Sequence, residues 1–234
     1  MGLLFQAIIP NARGCSVVIT STEQFQRRPV FWLQLISNHR GTITVAGNFA
    51  FALVTQLATD DQIAQLDLSS LRTMVCGSEP VRPETVHGFL DRFLSTGLPP
   101  DVIAPTMGMT EAGLFTFKFF GEPMVTRVFD RGQLENGYLV PVQSMDPNAV
   151  EIVSCGRPHP STTLFIVDPD TRLPVPDGTI GEIWVSSPMV SPGYYRRPTA
   201  SAETFGHSLP GSAKLFMRSG DLAAIVDREL YVTG

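Results

Sequence analysis

The chain has 234 residues, of which 43% are hydrophobic and 17% charged, and its formal net charge is −5. At about 150 residues per domain this is one large domain or two small ones, long enough to bury a core. The composition excludes a disordered tail, and the acidic excess argues against a general nucleic-acid binder. The first 120 residues read as alternating strands and helices. Ser16–Thr20 is a β-branched run and is predicted as a strand. Pro29 to Arg40 predicts a helix with proline in its first turn, followed by a short strand at Ile43–Val45. Asn48 is placed to cap a helix Phe49–Leu57. Arg72–Cys76 predicts a strand. Pro83 opens a helix Glu84–Leu94, whose Val86, Phe89, Leu90 and Phe93 share one face. Val102–Pro105 predicts the next strand. That order implies a parallel sheet with helices packed on it.

From residue 151 the helical periodicity fades. Short strands separated by turns are predicted at Glu151–Ser154, Thr163–Val167, Glu182–Ser187, Leu215–Arg218, Leu222–Val226 and Leu230–Val232, with one helix at Thr199–Phe205. Asp168-Pro169-Asp170 and Asp177-Gly178 supply turn signals. The fold class read here is α/β: a parallel sheet with packed helices, then a β-rich antiparallel sheet or small barrel. Residues 1–116 form the α/β part and 151–234 the β-rich part. The segment 117–150 between them is a mobile insertion or a small sheet excursion.

Other features narrow the class. Cys15, Cys76 and Cys155 are dispersed and form neither a disulfide framework nor a CxxC zinc pair, so reduced thiols in a cytoplasmic protein are expected. The longest apolar runs, such as Phe49–Val54, are too short to span a bilayer. The opening MGLLFQAIIP has neither the basic region nor the cleavage site of a signal peptide. The four histidines show no metal spacing.

Two loops stand where an α/β sheet binds ligands, beyond the carboxyl ends of strands. Gly77-Ser78-Glu79-Pro80 follows the strand ending at Cys76. Thr106-Met107-Gly108-Met109-Thr110-Glu111 follows the strand ending at Pro105. If those strands are neighbours, both loops rim one crevice. A hydroxyl beside a carboxylate, as in Thr110-Glu111, suits a phosphate and its Mg²⁺. Taken singly, each loop also fits an ordinary turn into a helix or a capping arrangement. A third candidate is Arg218-Ser219-Gly220-Asp221, whose aspartate can accept hydrogen bonds from a vicinal diol or close an ordinary turn.

Four ordered segments together resemble the adenylate-forming ligases, that is, acyl-CoA synthetases, peptide-synthetase adenylation domains and luciferases. They are Gly77-Ser78-Glu79-Pro80, Met107-Gly108-Met109-Thr110-Glu111, Gly181-Glu182-Ile183-Trp184 and Ser219-Gly220-Asp221. Within that superfamily the long-chain fatty acyl-AMP ligases are the most similar branch, on Val81-Arg82-Pro83-Glu84-Thr85, Phe129-Asp130-Arg131, Val153-Ser154-Cys155-Gly156-Arg157-Pro158, Gly193-Tyr194-Tyr195 and the opening Met1-Gly2-Leu3. The resemblance implies that Gly77, Ser78, Glu79 and Pro80 line the adenine, with Met107, Gly108 and Met109 completing the nucleotide contacts. It implies that Thr110 contacts the α-phosphate, Glu111 holds Mg²⁺, Asp221 binds the ribose and Asn48 and Phe49 line the acyl pocket. It implies ATP-dependent activation of a fatty acid to an acyl-adenylate for an acyl carrier protein, with 117–150 as the branch's insertion.

This sequence departs from the pattern at Met107, where the family has an aromatic residue, and at Ser219, where it has threonine. The phosphate loop with its lysine and the C-terminal lysine domain fall outside the chain, and neither Lys118 nor Lys214 stands in a matching context. Activity of the chain alone is therefore not expected. A non-catalytic nucleotide- or acyl-binding module derived from that family is the alternative.

Overall fold

In a computed structural model, residues 2–143 and 146–234 are described. Met1 of the opening motif, the side chain of Leu3, and residues 144 and 145 of the middle segment lie outside them. The chain divides into two compact units, one running up to Ala104 with Phe119–Met124, the other comprising Pro105–Lys118 and Val125–Gly234.

The first unit is helical around a small parallel sheet. A π-helical stretch Leu3–Ile8 runs into α1 (Ile9–Arg13); α2 (Thr22–Arg27) and α3 (Val30–His39) follow. β1 (Ile43–Ala46), α4 (Asn48–Leu57), α5 (Asp60–Ile63), β2 (Thr73–Cys76), α6 (Pro83–Phe93) and a 3₁₀ turn Leu94–Thr96 complete it. β1 and β2 pair in parallel from Ile43 opposite Thr73 to Ala46 opposite Cys76. The Met74 N–H donates to the Val102 carbonyl at 2.8 Å, so β2 lies between β1 and the segment that enters β3 (Ile103–Met109).

Helical spacing explains the packing. α3 buries Val30, Trp32, Leu33 and Ile36; α4 buries Ala50, Phe51 and Val54; α6 buries Val86, Phe89 and Phe93. These stripes meet as aromatic pairs that favour edge contacts: Phe51 stands edge-on to Trp32 at 5.4 Å and to Phe89 at 5.0 Å. Trp32 gives its indole N–H to the Thr44 hydroxyl at 2.9 Å, which satisfies its one polar atom.

Ser16–Thr20 is not a strand. Val17, Val18 and Ile19 are exposed at 44%, 49% and 61%. β-branched residues hold a strand only against a neighbour, and among the described residues none pairs with this run. The signal that forms instead lies just after it, where the Ser21 hydroxyl accepts the Gln24 N–H and starts α2.

The second unit is antiparallel. Its strands are the latter part of β3, β4 (Gly113–Phe117), β5 (Thr126–Asp130), β6 (Ala149–Val153), β7 (Arg157–Pro158), β8 (Thr163–Val167), β9 (Gly181–Ser186), β10 (His207–Ser208), β11 (Leu215–Val226) and β12 (Glu229–Val232). Its helices are α7 (Arg131–Glu135) and α8 (Pro198–Thr204). The main sheet runs β10-β11-β9-β8 with β12 also on β11, an open sheet and not a barrel among the described residues. Ala112, Phe115, Ile166, Ile183, Val185, Met217, Ala223 and Leu230 form its core.

Two predicted boundaries change. Leu215–Arg218 and Leu222–Val226 are one strand interrupted by a bulge. The strand predicted at Val102–Pro105 runs on to Met109, and Thr106–Met109 pair with Phe117–Gly113 as a hairpin. Thr110 and Glu111 therefore sit at a hairpin tip, not at the start of a helix. In the middle segment β5 pairs with β6, Thr126 opposite Val153 through Asp130 opposite Ala149, and Arg127 forms an ion pair with Asp227.

Phe51 has no exposure, and its ring links α3 to α6. Phe51→Ala is expected to destabilise the chain by about 3–5 kcal/mol. Urea unfolding of the variant checks this; a change of less than about 1 kcal/mol would show that the site collapses around the void.

Candidate nucleotide-binding site

In the first unit, the loop after β2 is tied to the start of α4. The N-cap of α4 is Gly47, not Asn48. Gly47 has no side chain to cap with, and the Glu79 carboxylate performs that function from the neighbouring loop, accepting the Phe49 N–H at 2.7 Å. A Cβ at residue 47 would lie 2.7 Å from the same Glu79 oxygen, so glycine is what lets the carboxylate in. Asn48 is buried; its side-chain oxygen accepts the Arg82 N–H at 3.0 Å and its amide donates to the Thr85 hydroxyl at 3.4 Å. Phe49 is 56% exposed, its ring edge-on to Phe25. Ser78 has φ +68°, a left-handed conformation that costs a non-glycine residue on the order of 1–2 kcal/mol.

In the second unit, the β3–β4 hairpin presents Thr110 and Glu111. Gly108 makes the hairpin possible, since a Cβ there would fall 2.5 Å from the Gly113 carbonyl. The Ala112 N–H bonds back to Met109, and Ala112 itself is fully buried. Met107 and Met109 pack onto the unit's core. Glu111 is held by the segment after β9. Its carbonyl accepts the Ser191 N–H at 2.7 Å, and its carboxylate accepts the Tyr194 hydroxyl at 2.8 Å. Donation to that carboxylate, then burial, push the Tyr194 phenol above its usual range. Tyr194 is itself fixed, by its N–H on the Ser201 hydroxyl and by an edge contact with Phe205.

Ser219, Gly220 and Asp221 form the bulge in β11, where the register against β9 shifts between Arg218 and Leu222. Gly220 has φ +80°. Glu182, across the sheet on β9, is 5% exposed and closes the bulge. Its carboxylate accepts the Gly220 N–H at 3.0 Å, the Arg218 Nε at 2.9 Å, the Arg218 Nη2 at 2.9 Å and the Trp184 indole N–H at 2.9 Å. Burial pushes Glu182 up, but the Arg218, Trp184 and Gly220 donors and the guanidinium charge outweigh it and hold the carboxyl below its usual range. Asp221 moves the other way, raised by burial and then by the Glu182 charge.

These segments share a cleft of about 280 Å³ lined by Met109, Glu182, Tyr194, Thr204, Arg218 and Gly220 among others. It lies within the second unit. Three of the four segments singled out in the sequence thus reach one cavity there, and the fourth, Gly77–Pro80, belongs to the first unit. Glu182 and Tyr194 were not identified from sequence as functional. Both lie in quoted motifs, but apart from Trp184 the partners of the Glu182 carboxylate are 36 to 38 residues away, the carboxylate that takes the Tyr194 hydroxyl is 83 residues away, and no local pattern encodes such pairs. Among the described residues no group of three or more His, Cys, Asp or Glu could hold a metal, and no helix is long and apolar enough to cross a membrane.

Because the folded Glu182 lies below the unfolded glutamate value of about 4.3, its stabilisation is complete above that pH and is lost as pH falls through the depressed value. Glu182→Gln is expected to lower stability at pH 7 and to flatten the acid limb. Urea midpoints at pH 7, 5, 4 and 3 check this; parallel profiles for the two proteins would contradict it.

The family model described as AMP-binding enzyme matches residues 1–195. The chain is 37% identical over 240 residues to a 4-hydroxyphenylalkanoate adenylyltransferase of Mycobacterium tuberculosis, covering all of this chain and 38% of that protein. It is 35% identical over 242 residues to the long-chain-fatty-acid–AMP ligase FadD26 of Mycobacterium marinum, covering all of this chain and 41% of that one. Among solved structures, a fatty acyl-adenylate ligase from Legionella pneumophila, in complex with acyl adenylate and pyrophosphate, superposes with a TM-score of 0.94 at 31% identity, over all of this chain and 41% of that one. The chain spans about two fifths of the length of these relatives. With its mixed architecture and its four ordered motifs, the chain belongs to the AMP-binding enzyme family.

Proposed function

We propose that this chain carries part of the site of a ligase that activates a fatty acid to a fatty acyl-adenylate for transfer to an acyl carrier protein, acting in the cytoplasm. The observation that carries this reading is the single cleft reached by Met109, Glu182 and Ser219–Gly220, at the foot of Thr110-Glu111 and beside Asp221. The adenylate-forming activities in the names of the relatives support it. In the reaction a carboxylate oxygen of the fatty acid attacks the α-phosphorus of ATP. The bond to pyrophosphate breaks and an acyl–phosphate anhydride forms.

Such chemistry depends on positioning and charge neutralisation. The Thr110 hydroxyl, exposed at the hairpin tip, donates to an α-phosphate oxygen. Asp221 accepts the ribose hydroxyls, and the Gly77–Pro80 loop receives the adenine. Met107 covers the base without aromatic stacking. Of the acyl-pocket pair, Phe49 offers an open apolar surface, while the Asn48 amide is already occupied by Arg82 and Thr85 and shapes the pocket from behind. Mg²⁺ bound through phosphates needs only one or two carboxylates, so the single Glu111 fits it. When bound there, the ion would neutralise phosphate charge. A second reading, a non-catalytic nucleotide- or acyl-binding module, is favoured by Met107 at the position where an aromatic ring is usual.

Calorimetric titration of the chain with a fatty acyl sulfamoyl-adenosine and Mg²⁺ tests the proposal. Micromolar binding is expected, and Asp221→Ala should weaken it by about 1–3 kcal/mol, the range for a charged hydrogen bond. No binding by folded protein would sink the adenylate reading. Because the folded Asp221 is raised, its ionisation opposes folding above the unfolded value and ceases to do so as pH falls below it. Asp221→Asn is therefore expected to unfold at higher urea than the parent at pH 7 while binding the ligand more weakly. A lower midpoint would show that the carboxylate is structural.

A further inference from the structure

We propose that Glu182 is the positioning residue of Asp221, aiming that carboxylate at the ligand's ribose through the bulge it holds in β11. The proposal rests on the reading of Asp221 as the ribose residue. A bulge leaves its extra residues outside the ladder, so their backbone groups need other partners. Here two ties act on successive residues. The Glu182 carboxylate takes the Gly220 N–H, and the Ser219 hydroxyl takes the Asp221 N–H at 3.0 Å. Of these, only the Glu182 tie reaches outside the bulge, and Glu182 is anchored independently by Trp184 and by two nitrogens of Arg218. The Arg218 guanidinium also lies 5.7 Å from the Trp184 ring centroid, which keeps the donor side of the pair in place. Gly220 has φ +80° and no atom within 4 Å of a Cβ position. No side-chain packing acts at that position, which leaves the Gly220 N–H bond to Glu182 as the hold on it.

The arrangement has an electrostatic consequence. Arg218 is committed to Glu182, so its charge is cancelled inside the cleft, and Glu203 adds a further carboxylate to the lining. That wall suits hydroxyl groups and disfavours a phosphate. It matches a diol placed against Asp221.

The test compares two probes: a fatty acyl sulfamoyl-adenosine and its 2′,3′-dideoxy counterpart. A carboxylate on the diol should make the parent prefer the ribo form on the order of tenfold to a hundredfold. Asp221→Asn should reduce that preference to near unity, which establishes the ribose reading on its own. Glu182→Gln should reduce it as well, with the protein still folded at pH 7. If Asp221→Asn removes the preference and Glu182→Gln weakens both probes equally, Glu182 is only structural and the proposal fails. If Asp221→Asn leaves the preference intact, the ribose reading fails and this proposal with it. Should Glu182→Gln not fold, Trp184→Phe removes one anchor while keeping a ring. A reduced preference in that variant supports the proposal and an unchanged one overturns it.

Discussion

A carboxylate taken out of water must be met by enough donors, or it costs more than the fold can supply. The second unit is organised around one that is met. Glu182 lies on the central strand β9, whose residues from Gly181 to Val185 are all buried. The carboxylate draws in a guanidinium, an indole and a backbone N–H, and the last of these lies in a bulge of β11. The register slip between Arg218 and Leu222 brings the Gly220 N–H onto that carboxylate and leaves Asp221 half-buried. Core and site are thus linked by one electrostatic requirement.

The first unit meets a related requirement at a helix end. The start of α4 lacks a capping side chain, and Glu79 reaches it from the loop after β2. Asn48 and Ser78 add to the same junction, one by a pair of hydrogen bonds to the 82–85 segment, the other by accepting a left-handed backbone. Polar residues that a reader of the sequence assigns to ligand contact are here also what shapes the loop. The two uses are compatible for Ser78 and Glu79, whose loop needs a defined shape before it can present a surface.

Elements whose stability is local or periodic were legible in the sequence. α3, α4 and α6 carry apolar stripes at helical spacing, and β8 and β9 lie within one residue of their expected bounds. The failures share a cause. Ser16–Thr20 has the residues of a strand but no partner among the described residues, so propensity had nothing to act on. The hairpin Thr106–Phe117 is not legible in the sequence because its first arm, Thr106-Met107-Gly108-Met109, holds no β-branched or aromatic residue after Thr106 and carries a glycine at its centre. Asp221 and Glu111 stand out in the sequence as acids in loops between predicted strands. Glu182 and Tyr194, which brace them, do not, because a contact made across strands leaves no trace in local spacing.

The close approach of the hairpin arms at Gly108 bears on how this site can change over time. With no room for even a methyl group between the two backbones, residue 108 is closed to substitution whatever the chemistry requires. Thr110 at the tip is exposed and answers to no packing constraint. The two positions are therefore under different rules: residue 108 is held by steric exclusion and residue 110 is not. Met107, beside the closed position but on the packed face, falls between them. A flexible thioether there fills the core beside it and tolerates exchange for other apolar side chains. Substitutions can accumulate along such a strand while its geometry stays where it was.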